Sequence, residues 1–314
     1  MKGRAMVAGA AGFIGYHLAR RLLDDGYDVV GVDSLTTGQL ENAHELERDP
    51  AFVFIEADIA ELPLLEGPLD VIYDLACPAS PVDFKSKGLE IMRTCSEGVR
   101  ALLELAQRKD AVFLHASTSE CYGDPKVNPQ PESYWGNVNP IGPRSPYDEG
   151  KRFAEAMIMA WHRETGLRTR LVRIFNTYGP RMRADDGRAL PNFINQALRN
   201  EPVTVYGEGK QTRSFCFVTD EVEGLVRLAE SEQVEPVNIG NPAEISIRQA
   251  AEEVIELCES KSEIRFLPLP QDDPILRCPD ISRAREVLGW EPTVDRREGF
   301  LKTIEYFRGL KPGV

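Results

Sequence analysis

The first 180 or so residues alternate between short apolar runs and longer amphipathic stretches. The short runs are bounded by turn residues and are typical of buried strands, whereas the longer stretches repeat apolar residues at helical spacing. The strand-like runs lie at residues 4–8, 28–32, 52–55, 71–73, 112–114 and 171–174. This order predicts an α/β fold with a Rossmann-type doubly wound parallel sheet covered by helices on both faces.

The pattern changes after about residue 180. A predicted helix at 190–199 and a short strand at 203–206 follow a polar stretch, and a capping box at 246–249 predicts the start of another helix. Two runs, 214–218 and 237–239, are predicted to be strands that return toward the main sheet. We therefore expect a Rossmann domain formed by 1–180 plus about 214–240, and a smaller C-terminal α/β lobe formed by 181–213 and 241–314.

Composition and charge limit the possible partners. The 314 residues are 42% hydrophobic and 28% charged, which is typical of a soluble globular protein. Lysine and arginine total 37 against 50 acidic residues, and the net charge of −13 disfavours nucleic acid and anionic membrane as partners. No apolar run approaches the roughly 18 residues of a membrane span, and no signal-peptide pattern is present. We expect a cytoplasmic protein.

Neither cysteines nor histidines are spaced like metal ligands. The four histidines are scattered, and the six cysteines lie far apart without a CxxC pair. Buried reduced thiols are predicted, with no disulfide framework and no metal site. The cysteines are Cys77, Cys95, Cys121, Cys216, Cys258 and Cys278.

A glycine turn follows the first predicted strand. Gly9, Gly12 and Gly15 open an amphipathic helix, and the second predicted strand ends on Asp33. This layout is typical of dinucleotide binding, because glycines let the backbone approach a pyrophosphate and the helix N-terminus attracts its charge. The Asp33 carboxylate would accept hydrogen bonds from a ribose diol and repel a 2′-phosphate. The sequence therefore predicts NAD rather than NADP as cofactor.

A candidate reactive pair opens the predicted helix at 147–161. Tyr147 and Lys151 are four residues apart and share one helix face. An ammonium beside a phenol favours the phenolate and lowers its pKa from about 10, which would make a general base for an alcohol. The alternative is a half-buried tyrosine beside a solvated lysine. The segment 117–120, directly after a predicted strand, would lie at the same edge of the sheet.

These features together resemble a known family. The glycine turn, Ser117, Thr118, Tyr147 and Lys151 resemble the extended short-chain dehydrogenases that act on nucleotide-sugars. Within that group the chain resembles the UDP-glucuronate decarboxylases (UDP-xylose synthases) over nearly its whole length. The matching positions are 75–80, 116–125, 134–136, 139–144, 147–152, 173–182, 205–207, 211–213, 271–274 and Arg277. Two positions depart from the family: Asp74 replaces the usual histidine, and Cys95 replaces the usual asparagine.

The resemblance implies roles for individual residues. NAD would be held by Gly9, Gly12, Phe13, Ile14, Gly15, Asp33, Asp58, Ile59, Leu75, Tyr147 and Lys151. The UDP-sugar would contact Pro78, Ser80, Asn176, Arg181, Asn192, Val205, Tyr206, Gln211, Arg213 and Arg277. Catalysis would involve Thr118, Ser119, Glu120, Tyr147, Lys151 and Arg277. Arg144 is not assigned a role, and both it and Arg181 could instead be surface charges.

The implied reaction converts UDP-glucuronate to UDP-xylose. Oxidation at C4 makes a ketone β to the C6 carboxylate, carbon dioxide leaves, and the same cofactor reduces C4 again. The resemblance assigns Glu120 and Arg277 to the decarboxylation and reprotonation steps; alternatively, backbone amides satisfy Glu120 and Arg277 clamps a phosphate. The hexose 4,6-dehydratases carry at position 119 an aspartate that protonates the leaving hydroxyl. This chain has Ser119 there, which cannot easily supply that proton.

Three other functions remain open. The 4-epimerases keep the Tyr–Lys pair but usually lack the glutamate at position 120, so UDP-glucuronate 4-epimerase is the first alternative. A nucleotide-hexose 4,6-dehydratase and a non-catalytic NAD-binding regulator follow it.

Two predicted helices, 89–107 and 147–162, carry more apolar positions than packing on one sheet face requires. In the family such helices pair across a two-fold axis into a four-helix bundle, which implies a homodimer. The alternative is a monomer whose C-terminal lobe buries these helices.

Overall fold

The computed structural model describes residues 2–84, 86–269 and 276–310, so the matching segment 271–274 lies outside the described residues. The strands are β1 Gly3–Ala8, β2 Tyr27–Asp33, β3 Phe52–Glu56, β4 Val71–Asp74, β5 Val112–Thr118, β6 Thr169–Ile174, β7 Thr177–Tyr178, β8 Val203–Tyr206, β9 Thr212–Ser214, β10 Cys216–Phe217, β11 Val237–Ile239, β12 Glu244–Ser246 and β13 Ile264–Leu267. The helices are α1 Phe13–Asp24, α2 Leu40–Leu46, α3 Pro81–Phe84, α4 Gly88–Arg93, α5 Val99–Lys109, α6 Ser145–Thr165, α7 Ala189–Leu198, α8 Val218–Glu230, α9 Ile247–Leu257, α10 Ser282–Leu288 and α11 Arg296–Gly309.

Seven strands form the main sheet in the order β11-β6-β5-β4-β1-β2-β3. All neighbouring pairs in it run parallel, which confirms the predicted fold class. Parallel strands place their carboxyl ends at one edge, where a ligand site is expected. Ala8, Asp74 and Thr118 lie at this edge, since Ala8 pairs with Asp74 and Thr118 with Ile174 at the strand ends.

Helices cover both faces of the sheet because alternate side chains of each strand point to opposite sides. In β1, Ala5 and Val7 belong to one core cluster, whereas Met6 and Ala8 belong to the other. The first cluster includes α1 and α8 and continues into the C-terminal elements. The second packs the sheet against α5 and α6.

The helix predicted at 89–107 spans Gly88 to Lys109 and is interrupted by a π-helical turn, Thr94–Gly98. The helix predicted at 147–161 extends from Ser145 to Thr165. It begins with Pro146 in its first turn and ends before Gly166 in the left-handed conformation, both common helix-end signals. Two segments separated by β5 thus form long helices that pack on the same face of the sheet.

The C-terminal elements form two small sheets, in which β8 pairs with β13 and β9 pairs with β12. The predicted capping box is present: the Ser246 hydroxyl accepts from the Gln249 amide at 3.1 Å, and the Gln249 side chain accepts from the Ser246 amide at 3.2 Å.

The prediction for 214–218 is wrong in part. The strand there, β10, pairs with β7 rather than with the main sheet, whereas β11 joins the sheet beside β6 as predicted. The chain leaves the sheet at Phe175 and Asn176, so the short β7 offers β10 a partner outside it. Among the described helices, none is long and apolar enough to cross a membrane.

Candidate active site

A cavity of about 430 Å³ runs along the carboxyl edge of the main sheet. Its size is within the usual range for small-molecule sites. All eleven residues that the sequence assigned to the cofactor line it, as do Thr118, Ser119, Glu120, Pro78, Ser80, Asn176, Asn192, Tyr206, Gln211 and Arg213. The structure therefore brings together most of the predicted site, from residues that span positions 9 to 213.

The glycine turn forms one end of the cavity. Gly9 has φ +84°, and a Cβ on Gly15 would lie 1.9 Å from the Gly9 carbonyl oxygen. Helix α1 can therefore start close to strand β1 only without side chains there. Asp33, at the end of β2, accepts from the Ala11 amide at 3.0 Å and from the Leu35 amide at 2.9 Å. A bare turn, a helix N-terminus and a fixed carboxylate together fit a dinucleotide.

Tyr147 and Lys151 lie in the middle of the cavity on the face of α6 that meets β5. The Tyr147 ring stacks on Phe84, with centroids 4.6 Å apart, and the Thr118 side chain lies near its phenol and favours the ionised form. The Lys151 ammonium donates to the Ala116 carbonyl at 2.7 Å. Thr118 and Ala116 belong to β5, so the strand orients both side chains.

Electrostatics at this pair differ from the expectation. Burial raises the pKa of the Tyr147 phenol, and the nearby Lys151 ammonium offsets only part of that rise. Burial would lower the pKa of Lys151, but Cys77, Cys95 and the phenol raise it above its usual range, so the lysine keeps its charge. The predicted net lowering of the Tyr147 pKa is therefore wrong, because desolvation outweighs one adjacent cation.

A charged cluster lies next to the phenol. The Glu120 carboxylate accepts from Arg144 at 2.8 Å and from Arg277 at 3.1 Å. Burial would raise the pKa of Glu120, but Arg277 and Arg144 lower it to about 2. A 3₁₀ turn, Ser119–Tyr122, positions the glutamate. The Thr118 hydroxyl caps this turn by accepting a hydrogen bond from the Glu120 amide at 3.2 Å. Glu120 is thus an ionised acceptor at neutral pH.

Three predicted substrate contacts do not line the cavity. Arg277 is 1% exposed and lies behind Glu120, where it donates to the Ser119 carbonyl and to the Gly123 carbonyl at 3.1 Å. The Arg181 guanidinium pairs with Glu45 and lies 4.6 Å from the Tyr16 ring centroid.

Val205, on β8, points into the core, where its side chain is fully buried. For Arg181 and Arg277 the sequence motif could not say which way each side chain points. A direct contact of any of these three side chains with the sugar nucleotide is not supported by this geometry.

Two charged residues that the sequence did not assign lie in the charged cluster. Arg144 lines the cavity, with its guanidinium 5.3 Å from the Phe84 ring centroid. Asp148 is buried one residue after Tyr147, and burial and the neighbouring Glu120 raise its pKa to about 7. The only signal for Asp148 was its position in the Tyr-Asp-Glu-Gly-Lys segment.

The two departures from the family pattern lie near Lys151. Asp74 stands opposite His115 in the β4–β5 register, and the His115 Nδ1 atom is 2.6 Å from the Asp74 carboxylate. Both side chains are buried. Burial lowers the pKa of His115, so the neutral ring donates to an ionised Asp74. The Cys95 sulphur lies 3.7 Å from the Cys77 sulphur.

One buried donor at the substrate end has no protein partner. Within the described ranges, Asn176 Nδ2 is buried without a hydrogen bond. A buried donor without a partner is costly, so this atom fits a ligand oxygen. In the same described ranges, no three His, Cys, Asp or Glu side chains group in a way that could hold a metal ion.

Comparison with known proteins agrees with this site. Residues 5–240 match the profile of the "NAD dependent epimerase/dehydratase family". The chain is 29% identical, with a TM-score of 0.85, to the structure of UDP-glucuronic acid 4-epimerase from Bacillus cereus in complex with UDP-glucuronic acid and NAD, covering 97% of this chain and 99% of that one. For UDP-glucose 4-epimerase of Thermotoga maritima with UDP-glucose, the identity is 29%, the TM-score 0.88 and the coverage 97% and 98%. The chain belongs to the NAD dependent epimerase/dehydratase family.

Within this family, a higher identity separates one group from the epimerases. The chain is 52% identical to UDP-glucuronic acid decarboxylase 4 of Arabidopsis thaliana, over 97% of this chain and 68% of that protein. It is 49% identical to UDP-glucuronic acid decarboxylase 1 of Xenopus tropicalis, over 97% and 72%. The resemblance inferred from the sequence motifs is confirmed.

Proposed function

We propose that this chain is a UDP-glucuronate decarboxylase, a carboxy-lyase that forms UDP-xylose and carbon dioxide with tightly bound NAD. The observation that carries the proposal is Glu120, held ionised by Arg144 and Arg277 beside the Tyr147–Thr118 pair. The neighbouring Ser119 cannot serve as the acid that a dehydratase needs. The identity of about 50% to decarboxylases, against about 30% to the epimerases, supports the same choice.

The cofactor end fits NAD. Gly9, Gly12 and the start of α1 would hold the pyrophosphate, and Asp33 would accept from the ribose hydroxyls while repelling a 2′-phosphate. When bound, NAD supplies the hydride acceptor for C4 and places a positive nicotinamide ring in the site. Lys151, whose ammonium is fixed by the Ala116 carbonyl, would bind the nicotinamide ribose.

Tyr147 and Thr118 act on the C4 hydroxyl. Their side chains lie close together on the cavity, so a hydroxyl placed between them would donate to one and accept from the other. The phenol takes the C4 proton as the alcohol is oxidised, and the Lys151 charge stabilises the phenolate that forms. Because burial raises the Tyr147 pKa, formation of the phenolate depends on the Lys151 charge and on the positive charge that bound NAD would add.

Decarboxylation follows from the 4-ketone. A carboxylate β to a carbonyl leaves as carbon dioxide, and the electrons move to the C4 oxygen, where Tyr147 and Thr118 stabilise the enolate. The enolate must then take a proton at C5, and Glu120, with its pKa of about 2, is suited to orient a water that gives this proton rather than to donate one itself. Arg277 acts on this step through Glu120, because its guanidinium lies behind the carboxylate.

The sugar nucleotide would occupy the other end of the cavity. Asn176 Nδ2 offers a donor, and Arg213 matches paired phosphate oxygens with its planar fork. Tyr206 and Gln211 line the same end and suit the uracil. These side chains come from β7, β8 and β9 or the loops beside them, so the C-terminal elements would select the nucleotide.

The second candidate is UDP-glucuronate 4-epimerase, since a solved neighbour of that activity holds UDP-glucuronic acid and NAD. Purified protein incubated with UDP-glucuronate and analysed by NMR and carbon dioxide release separates the candidates. UDP-xylose with equimolar carbon dioxide is expected. The C4-inverted acid would favour the epimerase, and unchanged substrate with intact NAD binding would favour a non-catalytic regulator.

A homodimer is part of this proposal. Leu89 and Met92 on α4 and Phe153 on the adjacent α6 are exposed by 87%, 48% and 54%. These side chains form an apolar surface where a two-fold bundle with a second copy would bury them. Light scattering of the wild type should give twice the mass of the chain, and Leu89→Glu with Phe153→Glu should give the monomer. A monomeric wild type would contradict this.

The expected cytoplasmic location also stays a proposal. All six cysteines are free thiols, as in proteins of reducing compartments. Fractionation of the producing cells, with activity recovered in the cytosolic fraction, is the test.

A further inference from the structure

Two thiols meet beside the reactive tyrosine and lysine. The Sγ atoms of Cys77 and Cys95 are 3.7 Å apart, although the residues are 18 positions apart in sequence. Cys77 follows β4 and lines the cavity, whereas Cys95 is buried in the π-helical turn. Cys95 packs in one apolar cluster with Tyr147. Cys77 is therefore reachable from the cavity, and Cys95 lies directly behind it, adjacent to the proposed base.

The two sulphurs are close to bonding distance. A disulfide needs a sulphur–sulphur distance of about 2.05 Å, so from 3.7 Å the atoms must approach by about 1.7 Å. The π-helical turn that carries Cys95 is an irregular segment between two α-helical ones, and such turns are frequent at functional sites.

The surroundings make one of the thiols reactive. A hydrogen bond from Cys77 and the charge of Lys151 lower the pKa of Cys95, whereas the same hydrogen bond and burial raise the pKa of Cys77. A cysteine with a lowered pKa beside a cation, with a second thiol in reach, is the arrangement of a peroxide-reactive site.

We propose that Cys77 and Cys95 form a dithiol modification site for peroxides, a site beyond the proposed carboxy-lyase activity. The Cys77 sulphur, which lines the cavity, passes its proton to the Cys95 thiolate and attacks one peroxide oxygen, the oxygen–oxygen bond breaks, and the departing hydroxide takes a solvent proton to become water. The Cys95 sulphur then attacks the Cys77 sulfenic acid, the sulphur–sulphur bond forms, and hydroxide leaves with the Cys95 proton as a second water. Two thiols are oxidised by two electrons, and one hydrogen peroxide is reduced to two waters.

The disulfide would reach the reactive residues through α6. A Cβ on Gly150 would lie 3.3 Å from the Cys95 sulphur, so Cys95 packs against the helix turn between Tyr147 and Lys151. Pulling Cys95 toward Cys77 changes the support of that turn. Since a displacement of about 1 Å can cost on the order of 10²-fold in rate, the oxidised protein should turn over at least about tenfold more slowly.

The test is oxidation of the purified full chain with hydrogen peroxide, followed by peptide mapping without reductant. The expected product is a cross-linked peptide pair that contains Cys77 and Cys95, has lost two hydrogen atoms and separates again with dithiothreitol. Cys258→Ser, which removes a thiol remote from the site, should give the same cross-link. Cys95→Ser should give none, and in the wild type iodoacetamide before peroxide should prevent the link without any substitution.

Two results would overturn the proposal. One is that both thiols stay free at peroxide levels that oxidise Cys258 or Cys278. The other is a complete Cys77–Cys95 link with unchanged turnover, which would remove the coupling to the site. The mass measurement does not need catalysis, so a failure of the proposed activity is distinguishable from a failure of this inference.

Discussion

The cofactor end of the cavity and the charged cluster beside Tyr147 are built in different ways. The cofactor end uses the glycine turn and Asp33, which lie within one continuous segment and contact each other mainly through the backbone. The charged cluster joins Glu120 to Arg144, 24 residues away, and to Arg277, 157 residues away. The first is set by local geometry, whereas the second exists only when distant segments pack together.

This difference predicts different sensitivities. The cofactor end should fail when a methyl group is added, because space is its essential property. The charged cluster and the adjacent phenol should lose their function when a charge or a hydroxyl is removed while the shape is kept.

The largest effect is expected for Tyr147→Phe. Removing the phenol oxygen eliminates the general base, and such groups contribute roughly 10²–10⁴-fold, so kcat should fall by about 10³-fold or more. Affinity for UDP, measured by calorimetry, should stay the same because the ring remains stacked on Phe84. Tyr27→Phe, at the opposite edge of the sheet, is the matched control and should keep full activity. Retained turnover in Tyr147→Phe would remove its role as base.

Gly15→Ala should be the next most severe change. The new methyl group would lie 1.9 Å from the Gly9 carbonyl oxygen, and backbone cannot move aside as a flexible side chain can. We expect a loss of at least about 3 kcal/mol in the free energy of unfolding and no measurable NADH binding. Gly309→Ala, with open space around it at the end of α11, should change neither quantity. Thermal unfolding and NADH fluorescence make the comparison.

Glu120→Gln should show the opposite kind of sensitivity, through charge. The folded pKa of about 2 lies below the unfolded value of 4.5, so the ionised form adds stability above pH 4.5 that is lost as pH falls toward 2. At about 1.4 kcal/mol per unit, the variant should be less stable by about 3 kcal/mol at pH 7.

The difference between wild type and Glu120→Gln should become small near pH 2, where about half of the glutamate is protonated, and disappear below that pH. Urea unfolding at several pH values measures it. Glu298→Gln, in an exposed pair with Lys302, should differ from wild type by less than about 0.5 kcal/mol throughout. If the difference in the free energy of unfolding between wild type and Glu120→Gln does not depend on pH, shape rather than charge matters in the charged cluster.

The smallest effect is expected for Asp33→Asn. The side chain keeps its shape but loses its charge, so NADH affinity should fall by about tenfold and the preference for NADH over NADPH should narrow. Glu56→Gln, exposed beside Asp33 at the end of β3, should leave both affinities unchanged. Dissociation constants for both nucleotides provide the test. An unchanged preference would show that the backbone alone selects the cofactor.

Sequence patterns predicted the parallel sheet, the glycine turn and the long helix that carries Tyr147 and Lys151. Each is a local property, because the spacing of apolar residues and glycines fixes it within some thirty residues. The sequence patterns failed for β10, because its pairing with β7 rather than with the main sheet depends on where the chain turns after Asn176. The motif that contains Arg181 was found, but not its partner Glu45, which lies 136 residues away.

The sequence alone determined that this chain folds as a dinucleotide-binding α/β protein with a tyrosine and a lysine on one helix face. Only the tertiary structure decided their chemistry. Burial raises the Tyr147 pKa and two arginines lower that of Glu120, because the electrostatic environment of a group depends on neighbours in space rather than in sequence. The same holds for Cys77 and Cys95, which became a pair only when β4 packed against the π-helical turn.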